Sequence, residues 1–254
     1  MDYNKLCLMV PTYKRSTTSL PVFINSAIET AGDLKNICFC FCVNKKDTAT
    51  KEYIEKYLWP AGVEWEIIEE KLIQPNLAAY FNMMYEKTRF NSSSVCVSML
   101  GDDMEFVTKG WDVEFLRMIN AYNGVGVFWA NDDYIAHELL CVNLFVTRKF
   151  VEATRKPFMC DLYHADMIDA VWMEIGKLTH TSHYLEDVII RHNHNTKKPG
   201  EQWDETFMRL RPIQQQANGR SNQRLGAIYA AIVAGTLINQ GYGRWESRDR
   251  TVAK

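Results

Sequence analysis

An apolar run, Val95-Cys96-Val97-Ser98-Met99-Leu100, stops at Gly101-Asp102-Asp103. A buried strand that ends on adjacent carboxylates sets like charges side by side at the rim of a sheet. That costs stability unless a cation offsets them. Hard oxygen ligands of this kind suit Mg²⁺ or Mn²⁺, ions that commonly carry a phosphate-bearing substrate. The same residues also suit an acidic turn before a helix. Two further polar stops follow apolar runs: Asn131-Asp132-Asp133, and His192-Asn193-His194.

The hydropathy pattern supplies elements that would position these groups. Strands are predicted over residues 6–10, 37–43, 63–69, 95–100, 124–130, 139–147 and 184–191. Helices are predicted over 20–31, with Ser19 as N-cap, and over 48–58, 76–88, 111–122, 166–177 and 222–240. Strand and helix alternate through the first half, which predicts an α/β fold with a mostly parallel sheet flanked by helices. In such sheets the ligand crevice lies beyond the C-terminal strand ends. Loops 11–15, 44–47 and 101–104 fall there, and all three are polar or charged.

With 254 residues and 47% hydrophobic content, the chain can bury a large core and is not a disordered one. The seven cysteines form no CxxC pair, and Cys38, Cys40 and Cys42 share one strand face, as core thiols or as a metal site. The thiols and the absence of a leader-like start make the cytoplasm the expected location. The apolar stretch Leu225 to Ile238 is too short to span a bilayer comfortably, so it reads as a packing or dimer helix. The net charge of −2 conceals an asymmetry. Residues 1–190 carry 18 basic and 26 acidic side chains, and residues 191–254 carry 11 and 5. The basic end, with Lys197, Lys198, Arg209, Arg211, Arg220 and Arg224, suggests an anionic partner or a solvated tail.

In order and spacing these segments resemble a GT-A glycosyltransferase of the broad family 2-like group. Val10-Pro11-Thr12-Tyr13-Lys14-Arg15 resembles its opening strand and nucleotide loop. Asn76 with Ala78, Ala79 and Asn82 resembles its helix under the nucleotide. Met99 to Met104, then Gly110-Trp111-Asp112, resembles its DxD region, with Gly101 in place of the first Asp. Asp169-Ala170-Val171-Trp172, Tyr184 to Ile190 and His192-Asn193-His194 resemble its C-terminal catalytic block, with Ile168 where many members have Glu. The resemblance implies a GT-A domain over 1–207, with a nucleotide half (1–123), an acceptor and catalytic half (124–207), and a helical extension over 208–254.

It also implies site residues. Asp103 would ligate Mn²⁺ or Mg²⁺, joined by His192 or His194. Pro11, Thr12, Arg15, Asn44, Asn76, Asn82 and Asp102 would line the nucleotide. Asn131, Asp132 and Trp172 would meet sugar or acceptor, although Trp111, Trp129 and Trp172 also suit a core. Asp169, or else Asp166, would take the acceptor hydroxyl's proton, helped by its place at a helix start. The expected activity is inverting sugar transfer from a nucleotide sugar, UDP-linked by default. The acceptor is either a small molecule or glycan, or a modified base in phage-type DNA. A non-catalytic nucleotide-binding protein on the same fold is the remaining alternative.

Overall fold

The computed structural model describes residues 5–70, 77–134, 137–154, 168–193 and 220–243. Eight strands form one sheet: β1 (Lys5–Thr12), β2 (Ile37–Asn44), β3 (Glu64–Glu70), β4 (Ser94–Met99), β5 (Met104–Phe106), β6 (Val127–Asn131), β7 (Leu144–Thr147) and β8 (Ser182–His192). Their order is β3-β2-β1-β4-β7-β6-β8-β5. The pairs β3–β2, β2–β1, β1–β4 and β6–β8 are parallel, and β7 and β5 run against their neighbours. The C-terminal ends of β1, β2, β3, β4, β6 and β8 therefore share one edge. The mixed, mostly parallel α/β architecture expected from the sequence is what the chain adopts.

The alternation of side chains across β2 explains the layers. Phe39 and Phe41 face one side, where α1 (Ser19–Thr30), α2 (Thr48–Ala61) and α4 (Trp111–Ala121) contribute Phe23, Ile24, Ile54, Leu58, Trp111 and Phe115. Cys38, Cys40 and Cys42 face the other, with Cys7. There α3 (Leu77–Lys87), α5 (Arg148–Thr154), α6 (Ile168–Thr179) and α7 (Arg220–Asn239) pack. These thiols are fully buried core, and burial pushes the Cys40 thiol well above its ordinary value, away from a metal-binding thiolate.

The C-terminal helix adds Ala230, Val233 and Leu237 to the same core. No helix among the described residues is long and apolar enough to cross a membrane. Trp111, Trp129 and Trp172 are all core, at most 4% exposed. Trp172 packs on Phe150 with ring centres 6.1 Å apart, so its indole is spent on packing rather than presented to a sugar.

Several elements differ from expectation. Ser19 is the first helical residue rather than the cap: Thr18 holds the cap position and makes no side-chain cap bond. β5 is an unforeseen strand of three residues, too short for a periodic signal. The expected strand over 139–147 shrinks to Leu144–Thr147, because His137–Leu139 forms a 3-10 turn. β6 and β8 slip register between Ala130 and Asn131, where Leu185 is followed in pairing by Ile189. Buried Asn143 bridges the irregularity: its Oδ1 accepts from Ala130 N at 2.7 Å and its Nδ2 donates to Ile190 O at 3.2 Å.

Candidate active site

Two strand ends and a helix start meet around Asp102. The residue is 8% exposed, and its carboxylate is bonded from two directions. Thr12, at the end of β1, donates its hydroxyl to Oδ2 at 2.6 Å. Ser19, at the start of α1, donates to Oδ1 at 3.3 Å, and Arg15 Nη1 stands 3.9 Å from the same oxygen. Burial raises the Asp102 carboxyl to about 6, with Asp103 adding to the rise and Arg15, Thr12 and Ser19 opposing it. Asp102 thus ties β1, α1 and β4 together from within.

Asp103 does the opposite and turns outward. Its Oδ2 lies 3.4 Å from His192 Nε2, with the two side chains 27% and 22% exposed. Gly101 makes this possible, because a Cβ there would collide with Asp103 Oδ1. Backbone bonds fix the pair: Asn193 N donates to Asp103 O at 2.9 Å, and His192 N to Asp132 O at 3.1 Å. One carboxylate oxygen and one imidazole nitrogen converging at a strand edge form a donor set that fits Mn²⁺. Among the described residues no group of three His, Cys, Asp or Glu forms a closed metal cage. An open set suits a cation that shares its shell with phosphate oxygens and water.

The other expected residues fall into place around this edge. Pro11 lies past Met9, where the β1–β4 pairing ends, so its missing N–H costs nothing on that side. Asn44 ends β2 and accepts from Lys46 N at 3.0 Å, shaping a turn. Asn82 is half-buried within α3. Asp169 opens α6, half-buried; its Oδ1 accepts from Ala170 N at 2.8 Å and its carbonyl accepts from the buried Cys141 thiol at 3.0 Å. Because α6 returns through a short turn into β8, its start stands at the edge where β8 ends. Asn76, Asp166 and His194 lie outside the described residues, as do Lys197, Lys198, Arg209 and Arg211.

Asn131 and Asp132 are committed internally. Asp132 is 1% exposed, and its Oδ1 accepts from His137 N at 2.8 Å. Asn131 Oδ1 accepts from Asp133 N at 2.9 Å and meets His137 Nδ1 at 3.0 Å. Trp129 Nε1 donates to His137 O at 3.1 Å. Together they hold His137 in a left-handed conformation, φ 42°.

Other contributors were not among the site residues expected from the sequence. Ser19 was one. Arg191 was another: it bridges Asp133 at 2.9 Å and Glu105 at 3.1 Å, and Asn193 Nδ2 also donates to Glu105 at 3.0 Å. Asp47 accepts from Lys14 N at 2.6 Å and Thr50 N at 3.2 Å, tying loop 13–15 to the start of α2. Only the polar character of these loops was legible beforehand.

Comparison with solved structures decides the fold. A mannosyltransferase, PcManGT from Pyrobaculum calidifontis, solved with GDP-Man and Mn²⁺, superposes with a TM-score of 0.59 at 11% identity, covering 93% of this chain and 79% of its own. TarS residues 1–349 from S. aureus, solved with UDP-GlcNAc, gives 0.58 at 12% identity, covering 94% and 72%. The fold is that of nucleotide-sugar glycosyltransferases. No protein-family model and no curated sequence matches the chain. At these identities the glycosyltransferase fold is what is shared.

Proposed function

We propose that this chain transfers a sugar from a nucleotide-sugar donor to an acceptor hydroxyl, with inversion and with a divalent cation. The convergence of Asp103 and His192 at 3.4 Å, beside the Asp102 cluster at the C-terminal strand edge, carries the reading. The fold likeness to two glycosyltransferases supports it.

Asp103 and His192 would hold Mn²⁺ or Mg²⁺, which supplies Lewis-acid stabilisation of the departing diphosphate. Arg15 and the loop after β1 bind the nucleotide, with Thr12 and Asp102 holding that loop in position. Pro11, Asn44, Asn82 and Asn76 would contact the nucleotide in this reading. Asp169 receives the acceptor hydroxyl's proton, with Asp166 the alternative base and His194 the alternative ligand. Asn131 and Asp132 act on the acceptor side by shaping the loop that carries His137. The 1–207 and 208–254 division is part of this reading.

The test is a thermal-shift panel of UDP-GlcNAc, GDP-mannose and a dTDP-sugar with and without Mn²⁺. A bound donor at about 100 times its Kd raises stability by roughly 2.7 kcal/mol. Stabilisation by one donor, dependent on Mn²⁺ and lost in Asp103→Ala, is the expected result. No stabilisation by any donor overturns the proposal and favours a structural role.

The excess of basic residues over 191–254 favours an anionic acceptor such as DNA carrying hydroxylated bases. Absence of duplex-DNA binding at low salt removes that acceptor. Leu225, Ile228 and Ile232 are 48–60% exposed along one side of α7, which favours pairing of two copies there. Light scattering of Ile228→Glu against the parent chain checks it.

A further inference from the structure

Away from the catalytic edge, α2 carries Glu52, Glu55, Lys56 and Trp59 on one stripe, spaced three, four and seven residues apart. The chain then reverses at Gly62, left-handed at φ 68°, and β3 brings Trp65 back alongside. These residues and Pro60 line an open groove of about 600 Å³. Trp59 is 80% exposed, while Trp65 has one side in the core and is only partly buried. From Glu52 to Trp59 the helix rises about 10 Å, enough to lie beside more than one sugar ring.

An indole left this exposed forgoes a large gain from burial, and two indoles in one groove form a ready apolar platform. Three charged groups rim the platform. Glu52 and Glu55 accept hydrogen bonds and Lys56 donates them. A purely apolar partner would strand those charges, and a purely ionic one of either sign would meet a like charge, Lys56 or the two glutamates, and leave the indoles uncovered. A ligand with an apolar face and a periphery of hydroxyls satisfies all of them at once: the C–H face of a pyranose lies on the indole while its hydroxyls bond the carboxylates and the ammonium.

We propose that this groove is a second, non-catalytic carbohydrate site that binds a neutral oligosaccharide of two or more rings on Trp59 and Trp65. It would hold the glycan end of an acceptor or product, and that link to acceptor or product rests on the transfer reading above. Binding itself does not: it needs neither nucleotide nor metal.

The experiment titrates the full chain with chitohexaose, mannohexaose, maltohexaose and cellohexaose up to about 10 mM, the range suited to a shallow site. The indole N–H resonances of Trp59 and Trp65, assigned with Trp59→Phe and Trp65→Phe, are followed by NMR, and the Trp65 signal reads binding in Trp59→Ala. The expected result is a saturable shift with at least one sugar. Its Kd rises at least tenfold in Trp59→Ala and about threefold in Glu55→Gln, and donor-induced thermal shifts stay unchanged in both variants. Trp59→Ala removes an exposed side chain, so its fold is retained, and Glu55→Gln keeps the site's shape as a second check. No sugar shifting Trp59, a shift that survives Trp59→Ala, or displacement by hexalysine overturns the proposal. If donors fail to bind while a sugar shifts Trp59, the transfer reading falls and the groove stands.

Discussion

Around β1, β2 and β4 the loop carboxylates are surrounded by donors: Asp102 by Thr12 and Ser19, and Asp47 by Lys14 N and Thr50 N. Around β6 and β8 left-handed non-glycine residues are more frequent. Asp133, His137 and His180 are left-handed non-glycine residues, and the buried Nε2 of His183 has no hydrogen-bond partner. The first region is a cradle whose carboxylates are satisfied, although Lys14 is left-handed at φ 54° and the buried Thr50 Oγ1 has no hydrogen-bond partner. The second stores more unfavourable backbone: Asp133 and His137 sit at the edge where β6 ends, and His180 and His183 at the opposite edge, where β8 begins. Under the proposed function, the first holds the donor and the second sorts acceptors.

The sharpest break in this contrast comes at Asp103. Asp103→Ala should lower turnover roughly 10³-fold, about 4 kcal/mol of barrier, while leaving the melting temperature nearly unchanged. Nucleotide release measured against Mn²⁺ concentration checks it. Retained activity would mean that the cation site lies elsewhere.

His183 tests the strained side through pH. Burial lowers its imidazole to about 4, and Tyr122 stacks on it at 3.5 Å between ring centres. The unfolded chain binds this proton first, so the contribution of His183 to stability is lost as pH falls from about 6.5 to about 4. The Asp102 carboxyl, raised to about 6, has the opposite slope over that range, so the parent curve alone hides both. The stability difference between the parent and His183→Phe should therefore rise by about 2–3 kcal/mol from pH 4 to pH 7. Urea denaturation at several pH values measures it, and a flat difference would remove the strained-side account.

Thr12→Val should cost about 1–2 kcal/mol by leaving the buried Asp102 carboxylate short of a donor. It should also weaken donor binding, which calorimetry reads directly. The smallest effect belongs to His137→Gly. Relief of the left-handed backbone offsets the lost Asn131 contact, so stability should shift by less than about 1 kcal/mol. Acceptor preference should change while donor affinity does not.

The parallel half of the fold was legible because its strands are buried on both faces and read as unbroken apolar runs, Ile37 to Val43 above all. Asp103 and His192 were legible because each ends such a run. What escaped depends on distant pairing. Ser19 meets Asp102 across 83 positions, and Arg191 meets Glu105 across 86. Nothing local marks either pair. Asn143 and β5 escaped for the same reason: one repairs a register slip, and the other is a strand only because β8 lies beside it.

At the far side of the sheet, β3 ends the strand order, and four of its seven residues are glutamates. Lys51 meets Glu69 and Lys87 meets Glu70, so the row is partly balanced within one molecule. A second molecule's strand approaching this border would bring its own acidic row against it, which disfavours end-to-end growth into fibrils. Lys51, bonded to Glu69, holds that carboxyl below the usual range, so this border keeps negative charge further into acid than an unpaired glutamate would.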